Sequence, residues 1–497
     1  MKLWLSLICA FLAGAVQAAC LLFADAAQAA PVRIVTPSLP DSRGNPHTYI
    51  GLPFGLVNQA VFEPLVRIGA GGVAEPVLAE SWTQETPTRW VFKLRGGVTF
   101  SNGEPFDAAA VVAALNYVLG TPLPSDMLAS VTMRAKIAAV TARDPLTVQI
   151  DTKVIDPILP VHLFNVQVPA PQAWAKGIAA FVSAPVGTGP YRVTKWAPGS
   201  VMLVANTSAR TPGTVPEIEV RGMPDPTARA LAIASGSADI ALDVMAETAS
   251  DGGFRLTPRL STQVTYMQFV TVGNAPFKDV RVRRALNYAV DRQKLIHTFL
   301  NDAVTPATQF THPDAFGYNT TLAPYPYDPA KAKALLAEAG YDKGLTVPIA
   351  FVTGQGPDAS IYQLVAADLA AVGVKVEFRA LTMGVWLGHL NGGDWPGGGF
   401  ITGIQGYDPV VAFNTRSCDW AKPHHCDRDL MPLLNAARSS TTADELRGRI
   451  NTLMAYEHDN PPGLMLWQRT YFDGLGPRVT DYKVGRDRID FTALRAK

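Results

Sequence analysis

The chain has 497 residues, 48% of them hydrophobic and 17% charged, a globular composition too long for one ordinary core and suited to two or three domains. Lysine and arginine number 43 against 42 for aspartate and glutamate, giving a net charge of +1. Nucleic acid and acidic membrane surfaces select a basic excess, so neither is expected as a partner.

Residues 1–29 read as an export signal, with Lys2 at the start, an uncharged run from Leu3 to Val16, and Ala27-Gln28-Ala29 as a small-residue cleavage site. The mature chain then begins at Ala30-Pro31 and is expected to be exported from the cytoplasm. The apolar run is short for a membrane anchor, and Asp25 puts a charge soon after it. Cys20 raises lipidation as an alternative, although Gln17 fits a lipidation box poorly. Cleavage removes Cys9 and Cys20 and leaves Cys418 and Cys426, which in an exported protein most simply form one disulfide.

After the signal, Val32 to Val35 reads as a strand, and Val61 to Val66 as the end of a helix running into a second strand. Leu78 to Leu115 reads LAESWTQETPTRWVFKLRGGVTFSNGEPFDAAAVVAAL. Within it Trp90, Phe92 and Leu94 alternate with Val91 and Lys93 as a strand, and Gly96-Gly97 and Ser101-Asn102-Gly103 are turns. Asp107 then caps a helix through Val111, Val112, Leu115 and Tyr117. Ala184 to Val193 reads APVGTGPYRV, a glycine-permitted turn feeding an aromatic-led strand, and a place for the chain to cross between domains. Pro224 to Arg229 opens a helix ending at Ser235-Gly236-Ser237, and Asp239-Ile240 begins the next element. Val282, Ala285, Leu286, Ala289 and Val290 recur at helical spacing. Asp328-Pro329 opens another helix, closed by Gly340. Pro348–Val352, Ala359–Val372 and Val374–Phe378 read as strand, helix and strand, a rhythm that implies parallel pairing in an α/β domain.

These blocks, in this order, resemble the family of periplasmic solute-binding proteins (family 5) that serve dipeptide, oligopeptide and nickel ABC importers. The match is specific in the Leu78–Leu115 block and in GTGPY, and extends over roughly residues 32–485. The resemblance implies an α/β, two-lobed periplasmic binding fold with an extra subdomain and two hinge strands. Lobe I would comprise 30–62, 185–272 and 473–497; an inserted subdomain 63–184; and lobe II 273–472. It also implies a monomer that captures a peptide or peptide-like solute and delivers it to an inner-membrane ABC permease.

No GxSxG, HExxH, Walker or dinucleotide motif is present, so neither an enzyme nor a cofactor is expected, and a secreted peptidase is the weakest reading. His424, His425, Cys418 and Cys426 offer nitrogen and sulfur ligands, which keeps a nickel or metallophore carrier as the alternative, although their spacing matches no standard zinc pattern. The family's ligand-facing segment is recognisable from Asn391 to Cys418. In dipeptide-binding relatives it carries an Asp that pairs with the peptide amine. Here Gln405 stands in that place, which argues against simple free-amine dipeptides. Tyr407 and Asp408 come next, with Asp408 either facing a ligand or capping the next helix. Trp386 and Trp395 are candidate stacking residues or core. Arg416 either faces a ligand carboxylate or is solvated.

Overall fold

The structure is a computed structural model and describes residues 30–48, 51–120, 133–245, 253–273, 275–352, 359–395, 398–405, 408–486 and 488–497. The export-signal reading therefore lies outside the described residues.

Hydrophobic strands supply the frame. Strand β1 (Val32–Thr36) buries Ile34 and Val35 completely. It is followed by β2 (Tyr191–Ala197), β3 (Ser200–Ala205), β4 (Glu217–Gly222) and β5 (Ile240–Val244). The second half of the chain adds β6 (Arg255–Phe269), β7 (Leu345–Val352), β8 (Val374–Leu381), β9 (Gly399–Gln405) and β10 (Gly463–Leu475). All ten join in one sheet, in the order β8-β7-β9-β6-β10-β5-β1-β4-β3-β2.

The expected parallel crossover is present: β7 and β8 pair in parallel, with the helix Ala359–Ala371 between them in sequence. Strand β1 likewise runs parallel to β4 and β5. The two longest strands, β6 and β10, are antiparallel and carry the sheet across its middle. Arg255–Leu260 pairs with Leu475–Thr470, and Val264–Gln268 pairs with Gln468–Gly463. Between these stretches the register shifts, so that Ser261, Thr262 and Gln263 face the single residue Arg469. Such a bulge bends the ladder and re-aims side chains.

Separate cores form on this frame. One lies beside β1, β3, β4 and β5, around Ile34, Val201, Val220 and Leu242. Another gathers Val282, Leu286, Val365 and Trp467 beneath the helices of the second half. The segment after Glu63 folds on its own four-stranded sheet: Ala79–Thr86, Arg89–Leu94, Thr147–Thr152 and Ile137–Asp144, in that order. The helix Ala108–Gly120 packs on it, and Asp107 caps that helix by accepting from the Ala110 amide at 3.1 Å. A further core joins Ile158 and Val161 of this segment to Phe316, Phe413 and Ile450, so the segment rests against the second half of the chain.

The GTGPY turn owes its glycines to close approach. A Cβ at Gly187 would sit 2.1 Å from the Val61 carbonyl oxygen, and one at Gly189 2.6 Å from that of Ala60. The turn thus docks directly on the end of the helix Leu56–Val61, and the Gly189 amide donates to the Val61 oxygen at 2.9 Å. Only glycine allows backbones this near.

Candidate ligand-binding site

Where β6, β9 and β10 meet, a cavity of about 470 Å³ opens, within the usual range for small-ligand sites. Its walls are mainly apolar and aromatic: Tyr266, Phe351, Trp386, Phe400 and Trp420 contribute. A larger cavity of about 680 Å³ lies near Glu63, Arg67, Arg210, Asp314 and Arg486. Three ion pairs occupy it: Arg67 with Glu75, Arg210 with Glu63 and Arg486 with Asp314. In the smaller cavity several buried donors and ring nitrogens lack a partner among the described residues.

Arg469 is the main case. It sits in the register break of β10, is 8% exposed and lines the cavity. One of its terminal nitrogens donates to Gln263 Oε1 at 2.6 Å, while Nε has no partner among the described residues. No aspartate or glutamate lines this cavity among the described residues. Gln263 holds its position partly because residue 403 is glycine: a Cβ there would lie 2.5 Å from Gln263 Oε1. His424 also lines the cavity. Burial pushes its imidazole down to about 4, helped by the positive charge of Arg416, so the ring is neutral near pH 7 with Nδ1 unpartnered among the described residues.

Trp386 lines the cavity from the helix Met383–Gly392, whose first turn is capped by Thr382. Trp395 is stacked on Phe400 at 4.2 Å between centroids and 12° between planes, and so backs the cavity wall. The indole N–H of each is buried without a described partner. Gln405 ends β9, its backbone opposite Gln263. Tyr407 lies outside the described residues.

Asp408 and Arg416 take their charges elsewhere. Asp408 caps the helix Pro409–Thr415, accepting from the Val410 amide at 2.9 Å. The same carboxylate meets His162 Nε2 at 3.0 Å and Lys136 at 3.4 Å, and His162 Nδ1 meets Asp156 at 2.8 Å. This cluster ties the segment after Glu63 to the helix after β9. Burial alone would raise the Asp408 carboxyl, but Lys136 and His162 outweigh it and hold it far below the usual carboxylate range. Burial alone would lower His162, yet Asp156 and Asp408 leave it raised, as expected for an imidazolium between two carboxylates. Arg416 is neither solvated nor at the cavity. It is 1% exposed, ion-paired with Glu457 at 2.7 Å, and lies over the ring of Phe310. The expectation of a ligand-facing or solvated Arg416 is thus corrected, because a buried guanidinium needs an internal counter-charge. Cys418 and Cys426 are joined in a disulfide, so neither supplies a thiolate to a metal.

Residues 73–420 match the profile of "Bacterial extracellular solute-binding proteins, family 5 Middle". The chain belongs to this family. It is 30% identical over 378 residues to the glutathione-binding protein GsiB of Salmonella paratyphi A, covering 73% of this chain and 72% of that protein. Among solved structures it is similar to NikA from Brucella suis in complex with Fe(III)-EDTA, with TM-score 0.78, 25% identity, and 94% and 100% of the two chains covered. DppA from Helicobacter pylori in complex with the peptide STSA shares the fold at TM-score 0.73 and 19% identity, over 94% and 98% of the chains. As a family 5 member, the protein is a solute-binding component of ABC import. Sequence reasoning reached Trp386 in this site and named His424 as a candidate metal ligand, but missed Arg469, Gln263 and Gly403 as lining groups. No motif marks Arg469, whose significance comes from a register break that a strand pattern does not reveal.

Proposed function

We propose that the protein captures a peptide or peptide-like solute in the periplasm, as a monomer, between two lobes that close on it, and presents it to an inner-membrane permease. The observation that carries this reading is the cavity at the crossing of β6, β9 and β10, with its unpaired polar groups. Lobe I is assigned to 30–62, 185–272 and 473–497, the inserted subdomain to 63–184, and lobe II to 273–472. The register break at Ser261–Gln263 and Arg469, in the two longest strands and close to the 272/273 and 472/473 boundaries, supports a swivel there. A ligand that binds the closed form better than the open one shifts the population toward closure, with no bond made or broken. The cluster of Lys136, His162, Asp156 and Asp408 would hold the inserted subdomain against lobe II in that form. Export by cleavage before Ala30 completes the reading.

Native mass spectrometry of protein taken from the periplasm provides the test. The expected spectrum shows a chain beginning at or near Ala30 and carrying one organic solute that unfolding releases. A chain retaining Met1, or one that carries no solute and gains none from periplasmic extract, refutes the reading. The likeness to NikA bound to Fe(III)-EDTA favours a metal chelate as the second reading. A stoichiometric metal in the same spectrum selects it.

A further inference from the structure

A guanidinium removed from water without a counter-charge is costly, and proteins avoid the arrangement unless something arrives to complete it. Arg469 is in that position. It is 8% exposed, its polar partner is the neutral amide of Gln263, and the cavity wall holds no carboxylate among the described residues. Arg416, by contrast, is deeper still and is matched by Glu457. Two further groups around the cavity repeat the pattern: the indole N–H of Trp386, a donor only, and the neutral ring of His424. The site therefore offers one positive charge and hydrogen-bond donors, and no anionic acceptor among the described residues. Its other walls are mainly apolar and aromatic, Phe400 and Trp420 among them, with the hydroxyls of Thr402 and Thr415 between.

We infer that the solute carries a carboxylate that pairs with Arg469 beside Gln263, that its body is apolar, and that it brings no free ammonium into this cavity. This rests on the capture reading above and narrows it to a substrate class. The carboxylate supplies the missing counter-charge, and a charge-assisted bond in a low-dielectric site is stronger than a neutral one. An ammonium in the same space would meet the like charge of Arg469 and find no carboxylate among the described residues. Gly403 belongs to the same device: by leaving room for Gln263, it fixes the amide oxygen that orients the guanidinium. Such a residue sets specificity, because an analogue lacking the carboxylate leaves the buried charge unmatched.

Four probes test the assignment by calorimetry: N-acetyl-Ala-Phe, its C-terminal amide, unmodified Ala-Phe and glutathione. Wild type is expected to bind the acetylated acid about 100-fold more tightly than the amide, the scale of an interaction lost from a buried charge. It is also expected to bind that acid more tightly than unmodified Ala-Phe. In Arg469→Gln the acid and the amide should bind alike, whereas Arg469→Lys, which keeps the charge, should retain part of the preference. Circular dichroism and the thermal midpoint of each variant confirm that it is folded. If Arg469→Gln does not fold, the acid-to-amide ratio of wild type and of Arg469→Lys decides. Equal binding of acid and amide by wild type overturns the inference, as does a preference that survives in Arg469→Gln. Binding of unmodified Ala-Phe as tight as the acetylated acid overturns the exclusion of ammonium. Glutathione carries a free ammonium on a polar body, so binding of glutathione as tight as that of the acetylated acid overturns the exclusion too, and failure of the acetylated acid to bind overturns the inference. None of these results touches the capture reading, which stands or falls on the solute found by mass spectrometry.

Discussion

Changing Asp408 to asparagine removes one charge from the buried cluster while leaving an oxygen able to cap the helix Pro409–Thr415. Asparagine and aspartate are about equal as N-caps, so the cap itself costs little. What is lost is the charged bond to His162 at 3.0 Å and the ion pair with Lys136 at 3.4 Å. A hydrogen bond to a charged group contributes about 1.5–3 kcal/mol, and that is the expected loss at pH 6. The loss depends on pH because His162 is raised in the folded state. A raised imidazole contributes stability fully below its unfolded value near 6.5, and that contribution disappears as pH rises through the folded value. In the variant, Lys136 and Asp156 already balance, so His162 sheds its proton at lower pH than in wild type. The variant should therefore be destabilised most at pH 6 and less above the folded pKa of His162, where the Lys136 pair is the part still lost. A chain of 497 residues has an unfolding entropy near 1 kcal/mol/K, which converts the loss into a fall of about 1.5–3 °C at pH 6. Differential scanning at pH 6 and pH 9, with an NMR titration of the His162 ring, measures both quantities. An unchanged His162 titration, or an equal loss at both pH values, would refute the reasoning.

Two other outcomes arise from the packing. Thiol counting on unreduced, denatured mature protein should find none free. Reduction of Cys418–Cys426 should lower stability by about 2.5 kcal/mol, the chain-entropy value for so short a loop, and no shift in thermal midpoint would show that the loop is held by other contacts. Gly187→Ala brings a Cβ against the Val61 carbonyl oxygen, a backbone atom that cannot swing aside. It should cost about 1–3 kcal/mol as an overpacking change, read as a lower thermal midpoint, and a variant as stable as wild type would contradict that contact.

Much of the fold was legible because it is written in short-range chemistry. Asp107, Asp225, Asp328 and Asp408 each stand just before a helix and each accept from an amide of its first turn. The strand, helix and strand from Leu345 to Leu381 alternate as their residues suggest, and the pairing is parallel. The site was less legible because its decisive contacts are long-range. Arg469 and Gln263 lie 206 positions apart and meet only through an irregular stretch of ladder. Arg416 finds Glu457 at 41 positions, and Asp408 finds Lys136 at 272. Nothing local to Arg416 distinguishes an internal ion pair from a solvated side chain or a ligand contact. Trp386 could be proposed from its type and region alone, since large aromatic rings suit both a core and a cavity wall.

The place of Arg469 in the ladder has a mechanical consequence. A point on the axis of a swinging body hardly moves, whereas a point away from the axis sweeps an arc. If the lobes turn about the break in β6 and β10, Arg469 and Gln263 keep their mutual geometry throughout the swing. Their attraction for a solute is then nearly the same with the lobes apart or together, and a contact of equal strength in both forms shifts neither. Arg469 would govern which molecules are retained on first encounter. The drive to shut would come from groups off the axis, such as Asp408 with Lys136 and His162. Selectivity and gating would then reside in different side chains, each open to change without disturbing the other.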